Sequence, residues 1–289
     1  MKSIITLITT ALLSSYCFAQ ADSAQVAPDT AIVNKSTLTL GVSYANNASY
    51  YGQRAQESMP YIAASATYQL RSGIYFTGMG YKLLNDSGAA VSATSLGAGI
   101  SFNLSKTLAA DISYSHTFFP TGSPFIQAAN ADNISASLTL TNWLSTSVNA
   151  DYAFGKTQDV FVTLGTGKFI NLGSLFSPKD FVSLTPAVNV VGGTQHFYET
   201  YVKEKRFRDS LLGVLLPPVL GGGQNSNETT TTTKTSFDLL SYNFKLPLAY
   251  NRASYLFEVA YQLSVLGKKP ETGTERTNSF FTLSFYYQF

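Results

Sequence analysis

At 289 residues the chain has room for one large domain or two small ones. Its formal net charge of +2 is too small to mark a nucleic-acid binder, and only 12% of its residues are charged, about half the roughly 25% of a soluble domain. At a mean hydropathy of +0.05 the missing charge is replaced by Ser, Thr, Asn, Gly and Tyr, not by an apolar block, as suits strands with one lipid face and one wet face.

Residues 1–19, MKSIITLITTALLSSYCFA, have the layout of a secretory leader. Lys2 is the basic start, Ile4 to Leu13 the apolar stretch, and Cys17-Phe18-Ala19 a small-x-small ending, so cleavage is expected after Ala19. Cys17 is the only cysteine, and Tyr16 stands where a lipidation signal needs a small residue. With the leader removed, no disulfide or thiolate metal site is possible. Residues 20–35 are expected to form a short periplasmic segment.

No run of eighteen apolar residues follows, so the rest crosses a membrane as strands or not at all. From residue 36 onward, apolar and small polar residues alternate repeatedly. Leu38, Leu40, Val42 and Tyr44 set against Thr37, Thr39, Gly41 and Ser43 are the first instance. This period-two pattern predicts twelve strands, at 36–45, 60–70, 74–83, 92–104, 108–119, 133–143, 147–155, 159–170, 181–191, 236–246, 254–263 and 279–289. Most have about ten residues, the length at which a tilted strand crosses hydrocarbon. Pro186 is awkward inside 181–191, because it has no N–H to give a ladder.

The connections alternate long and short, with the longest at 192–235, and a break of parity between 156 and 180. Short periplasmic turns and long outer loops are the habit of membrane barrels, so the expected fold is an all-β, transmembrane, antiparallel up-and-down barrel of about twelve strands over 36–289. A soluble β-sandwich would need far more Lys and Glu on its outward faces.

The last eleven residues, SFFTLSFYYQF, end in Phe289 with hydrophobics at alternate positions before it, including Phe285 and Tyr287. This ending resembles the C-terminal assembly signal of bacterial outer-membrane β-barrel proteins. The resemblance implies recognition by the barrel-assembly machinery, with Phe289 at the periplasmic rim of a barrel embedded in outer-membrane lipid.

Inward positions are expected to be small and polar, with Lys82, Asp111, Asp151, Lys245 and Glu258 as lumen charges. These would either pair to fix strand register or bias which solutes pass. Loop 192–235 joins a charged cluster, an apolar LLGVLLPPVLGGG and a Thr-rich run, and could be a hairpin extension, a lid, a plug or a disordered tip. His116 and His196 are the only histidines; His116 shares the outward parity of Tyr114, and no G-x-S-x-G elbow or metal-ligand set accompanies either. No cofactor and no enzyme are expected. The leading function is a porin-like channel for small hydrophilic solutes. Its rivals are a non-conducting surface or envelope protein and, further off, a barrel enzyme acting on lipid or peptide.

Overall fold

A computed structural model describes residues 35–55, 57–85, 90–120, 124–196, 236–267 and 275–289. The expected leader at 1–19, residues 20–34 of the expected N-terminal segment and most of loop 192–235 lie outside the described residues. The strands are β1 (Thr37–Ala45), β2 (Tyr61–Gln69), β3 (Ile74–Leu83), β4 (Ala93–Asn103), β5 (Leu108–Phe118), β6 (Asp132–Thr141), β7 (Ser145–Phe154) and β8 (Gln158–Gly167). Then come β9 (Ile170–Gly173), β10 (Asp180–Leu184), β11 (Ala187–Gly193), β12 (Asp238–Arg252), β13 (Tyr255–Leu266) and β14 (Thr277–Gln288).

Each strand from β1 to β8 pairs antiparallel with the next; β8 pairs with β11, β11 with β12, β12 with β13, and β13 with β14. β14 returns to β1, with Val42 opposite Phe285 and Leu40 opposite Tyr287. The circuit is closed at twelve strands, which leaves the wall without an exposed edge. About ten residues at ~3.4 Å each, tilted about 45°, rise roughly 24 Å, close to the ~25 Å apolar band of a membrane barrel.

The two remaining strands explain the parity break. β10 and β11 lie in line along β12, interrupted at Thr185-Pro186. Pro186 and Pro247 fall at adjacent register positions, so two ladder donors are missing near one another; Thr185 N–H donates to the Pro247 carbonyl (3.0 Å). Opposite the same break, Lys168 N–H donates to the Pro186 carbonyl (3.0 Å), and β8 gives way to β9. The predicted strand 181–191 is therefore one wall strand in two pieces. The long connection 171–180 is an elaborated turn, the β9–β10 hairpin, and no wall strand is added. Asp180 holds its tip by accepting from Leu175 N–H (2.9 Å), Phe176 N–H (3.2 Å) and the Tyr250 hydroxyl (3.1 Å).

Alternation sorts every wall strand into two faces. Outward residues such as Leu40, Val42, Leu96, Ile112, Leu138, Leu164, Phe244 and Leu246 are exposed, which in water would be an untenable apolar surface and in lipid is the matching one. Inward positions are mostly hydroxyls, amides and small residues, with rings such as Tyr61, Tyr81 and Phe161 toward the long-loop end. One predicted lumen charge is corrected: Lys82 lies opposite Ile62, an outward residue, and shares the parity of exposed Phe76. The alternation of β3 was mixed on both faces, and only its register with β2 fixes which is which. Phe285 and Tyr287 face outward near the β1 seam, and Phe289 is exposed at the short-turn rim with its N–H on the Leu38 carbonyl (2.9 Å).

Candidate functional site: the barrel lumen

The end carrying the long connections is read as extracellular and the short-turn end as periplasmic. In a closed barrel, solvent reaches an inward side chain only through the lumen. By that criterion the wall divides in two. On β1 to β5, inward Thr39, Ser43, Ser65, Thr67, Thr77 and Ser113 are half-buried, as are Gly97 and Gly99 between them. On the opposite wall, inward Ser135, Ser137, Asn149, Asn243, Gln262 and Ser264 are buried.

Much of the buried wall is hydrogen-bonded to itself, although Gln262 Oε1 and Glu258 Oε2 find no partner among the described residues. Ser135 Oγ donates to Asn149 Oδ1 (3.1 Å), and Asn149 Nδ2 donates to the Asp151 carboxylate (2.6 Å). Gln262 Nε2 donates to Ser264 Oγ (2.8 Å), and Asn243 Nδ2 to Ser241 Oγ (3.1 Å). Asp151, Lys245 and Glu258 belong to this dry wall, at 4%, 7% and 3% exposure. Asp111 alone among the predicted lumen charges stands on the wetted wall, where the Tyr75 hydroxyl donates to it (3.0 Å). Tyr75 reaches it from β3 by crossing β4 over Gly99, where a Cβ would lie 2.5 Å from the ring. Substituting Gly99 by Ala should push Tyr75 off this path and free the Asp111 carboxylate; faster tyrosine-ring flipping by NMR would register it, and an unchanged ring would refute the contact.

The outer mouth is closed by a segment that sequence reasoning passed over. Residues 46–60, between β1 and β2, fold into the barrel, with Asn47, Ala48, Tyr50, Tyr51, Ala55 and Met59 all buried. Backbone bonds between Tyr50 and Gln53 (2.8 and 3.0 Å) tighten the tip into a turn, with Tyr51 and Gly52 at φ of 53° and 82°. Positive φ suits Gly52 but is strained for a tyrosine, so the surroundings must hold Tyr51 there. They do. Its ring stacks on Phe161 of β8 with centroids 3.8 Å apart, and its carbonyl accepts from Ser241 Oγ of β12 (2.7 Å). Gly52 carbonyl accepts from Asn278 Nδ2 of β14 (3.0 Å), and Arg54 Nε donates to Asn278 Oδ1 (3.1 Å). A loop rooted on β1 and β2 is thus bonded to β14 and β12 and stacked on β8 across the lumen.

A second segment, described over 124–131, also turns inward and carries one turn of 3-10 helix, Ile126–Ala129. Phe125 and Ile126 are buried, and Phe125 meets the ring of Tyr81 edge-on at 6.3 Å. Together with inward Tyr61, Tyr81, Leu83 and Phe161, the two segments form the hydrophobic core of the molecule, confined to the outer mouth. Burial, reinforced by the Asp159 carboxylate, pushes the Tyr50 phenol well above its usual range.

Both histidines acquire carboxylate partners that only register could reveal. His116, on the outer face, lies opposite Asp132, and its Nδ1 is 2.7 Å from the carboxylate. His196 Nδ1 is 3.1 Å from Asp159, which also accepts from Asn130 Nδ2 (2.8 Å) and Thr194 Oγ1 (2.7 Å). In each case the neighbouring hydroxyl, Tyr114 or Thr194, donates to the carboxylate and not to the imidazole. That is the arrangement of a structural network. An activated nucleophile would be bonded to the ring. Among the described residues no group of three or more His, Cys, Asp and Glu could hold a metal ion.

The fold defines the class: a closed twelve-strand antiparallel β-barrel with an apolar outer face, the layout of a barrel that crosses a membrane. No family model matches the chain, and no curated protein matches it in sequence. Among solved structures it is similar to the COG4313 outer membrane channel from Pseudomonas putida F1, at 12% identity over 92% of this chain and 100% of that one, with a TM-score of 0.48. It is also similar to the KdgM porin (8% identity, 88% and 99% covered, TM-score 0.46) and to LpxR from Salmonella typhimurium (7%, 86% and 99%, 0.48). At this distance the likeness is one of barrel layout alone.

Proposed function

We propose that the protein is a porin-like channel for small hydrophilic solutes, held shut at its outer mouth by the 46–60 plug. The observation that carries this reading is the division of the lumen. One wall is wetted and hydroxyl-lined below the plug, while the obstruction at the outer mouth is built by connecting segments packed on inward wall rings such as Phe161. Wall side chains would fill a barrel permanently; a loop held by a few polar bonds and one ring stack can yield. With Asp111 as the charge on the wetted wall, the open channel favours cations.

Reconstitution into planar bilayers tests it. The natural chain should give brief, infrequent conductance steps, with potassium passing more readily than chloride. Asp111→Asn should bring that permeability ratio toward one while steps persist. The rival reading, a non-conducting surface protein, is favoured by the aromatic core that fills the outer mouth. It predicts silence from the natural chain and from a plugless variant alike.

A further inference from the structure

Every wall turn at the periplasmic end carries a cation or is touched by one. Arg71 is on the β2–β3 turn, Lys106 on β4–β5, and Arg252 enters β12–β13; Lys168 and Lys179 flank the β9–β10 hairpin, and Lys35 precedes β1. The β6–β7 turn has no cation of its own, but Lys168 Nζ donates to its Trp143 carbonyl (2.7 Å) and lies 4.7 Å from the centre of the indole ring. Asp180 is the one acidic side chain among the described residues of this rim, and it is engaged in capping its own hairpin. The opposite mouth shows no such bias: Arg54, Lys156 and Arg276 are mixed with Glu57, Asp238 and Glu275.

At the same level, large apolar side chains stand exposed: Trp143 at 76%, Leu172 at 55% and Phe176 at 77%. Leu172 belongs to β9, whose outer edge has no partner strand among the described residues. Cations directly beside exposed aromatic and aliphatic groups match a membrane interface, where apolar groups sink into lipid and ammonium or guanidinium groups meet phosphate. A soluble acidic partner would match the charges but leave Trp143, Leu172 and Phe176 in water.

We infer that this rim is a binding surface for the phosphate headgroups of anionic phospholipid in the periplasmic leaflet, with the β9–β10 hairpin as its apolar anchor. Each Lys or Arg near an anionic surface contributes about fivefold in affinity, so several acting together select strongly against zwitterionic lipid.

The full mature chain, folded into nanodiscs of equal phosphatidylcholine and phosphatidylglycerol, can be stripped stepwise with detergent and its retained lipids weighed by native mass spectrometry. Phosphatidylglycerol should be enriched at least fivefold among the last lipids released, with inorganic phosphate unable to displace it. The fourfold Gln variant of Arg71, Lys106, Lys168 and Lys179 should lose the enrichment. A variant with Arg71→Lys and the three lysines changed to Arg should keep it, as should Lys82→Gln with Lys156→Gln at the other mouth. Absence of enrichment in the natural chain, its survival in the fourfold Gln variant, or equal loss in the Lys82/Lys156 variant would each overturn the inference.

Discussion

Replacing residues 48–58 by a short Gly-Ser turn should turn a nearly silent protein into one with long-lived conductance steps. The excised segment contributes Ala48, Tyr50, Tyr51 and Ala55 to the core at the outer mouth, and its tip makes the bonds to Ser241 and Asn278. Without it, wall residues Tyr61, Tyr81, Leu83 and Phe161 would line a cavity, with 124–131 the remaining inward segment among the described residues. Barrel closure depends on backbone ladders that this segment does not enter, apart from its own Tyr50–Gln53 turn, so heat-modifiable gel mobility should survive the change. A plugless barrel that folds and still shows no steps would end the channel reading and favour the surface protein.

Phe161→Ala should be the most damaging single substitution. The ring is fully buried, stacked on Tyr51, and within 5.6 Å edge-on of Tyr50. Removing a buried phenylalanine costs roughly 3–5 kcal/mol, and the lost aromatic pairing is part of that sum. The loss falls on the plug as well as on the wall, because Tyr51 is strained at positive φ and Phe161 is what it rests on. Urea unfolding in lipid vesicles should therefore show a marked drop in midpoint, and bilayer recordings more frequent opening. Phe161→Leu should recover part of the stability but less of the closure, since a leucine fills volume without offering a stacking face.

The wall was legible from the sequence because lipid on one side and water or polar neighbours on the other impose a strict period of two. Leu38 through Tyr44 declare their faces without reference to any other strand. The twelve expected segments each correspond to a wall strand, with 181–191 split at its proline and 236–246 extended to Arg252. Lys82 was misassigned because the faces of β3 do not differ enough in polarity for alternation to orient them. Its direction is fixed by pairing with Ile62, a long-range fact.

The plug was illegible for a different reason. ANNASYYGQRAQESMP has the composition of an ordinary outer loop, and nothing local says that Tyr50, Tyr51 and Met59 will be buried. The partners that hold the tip of the segment, Phe161, Ser241 and Asn278, lie more than a hundred residues away. The one local hint is Tyr-Tyr-Gly followed by Met-Pro, apolar groups too large to leave in a solvated loop of that length. The more conspicuous loop by length and low complexity is 192–235, of which only the start, 192–196, falls within the described residues. The His116–Asp132 and His196–Asp159 pairs were hidden in the same way, since register and loop return bring each carboxylate to its imidazole.

The division of the lumen into a closed outer mouth and a wetted inner half is tested most directly by thiol labelling from the two sides. Cys17 is the only natural cysteine, so Ser113→Cys in a Cys17→Ser background places a single reporter on the wetted wall. In proteoliposomes of determined orientation, a small charged methanethiosulfonate should modify it rapidly from the periplasmic face and slowly from the extracellular face. Deleting 48–58 should make the two rates converge. Equal rates in the natural chain would contradict a plugged barrel, and no modification from either face would contradict the wetted lumen.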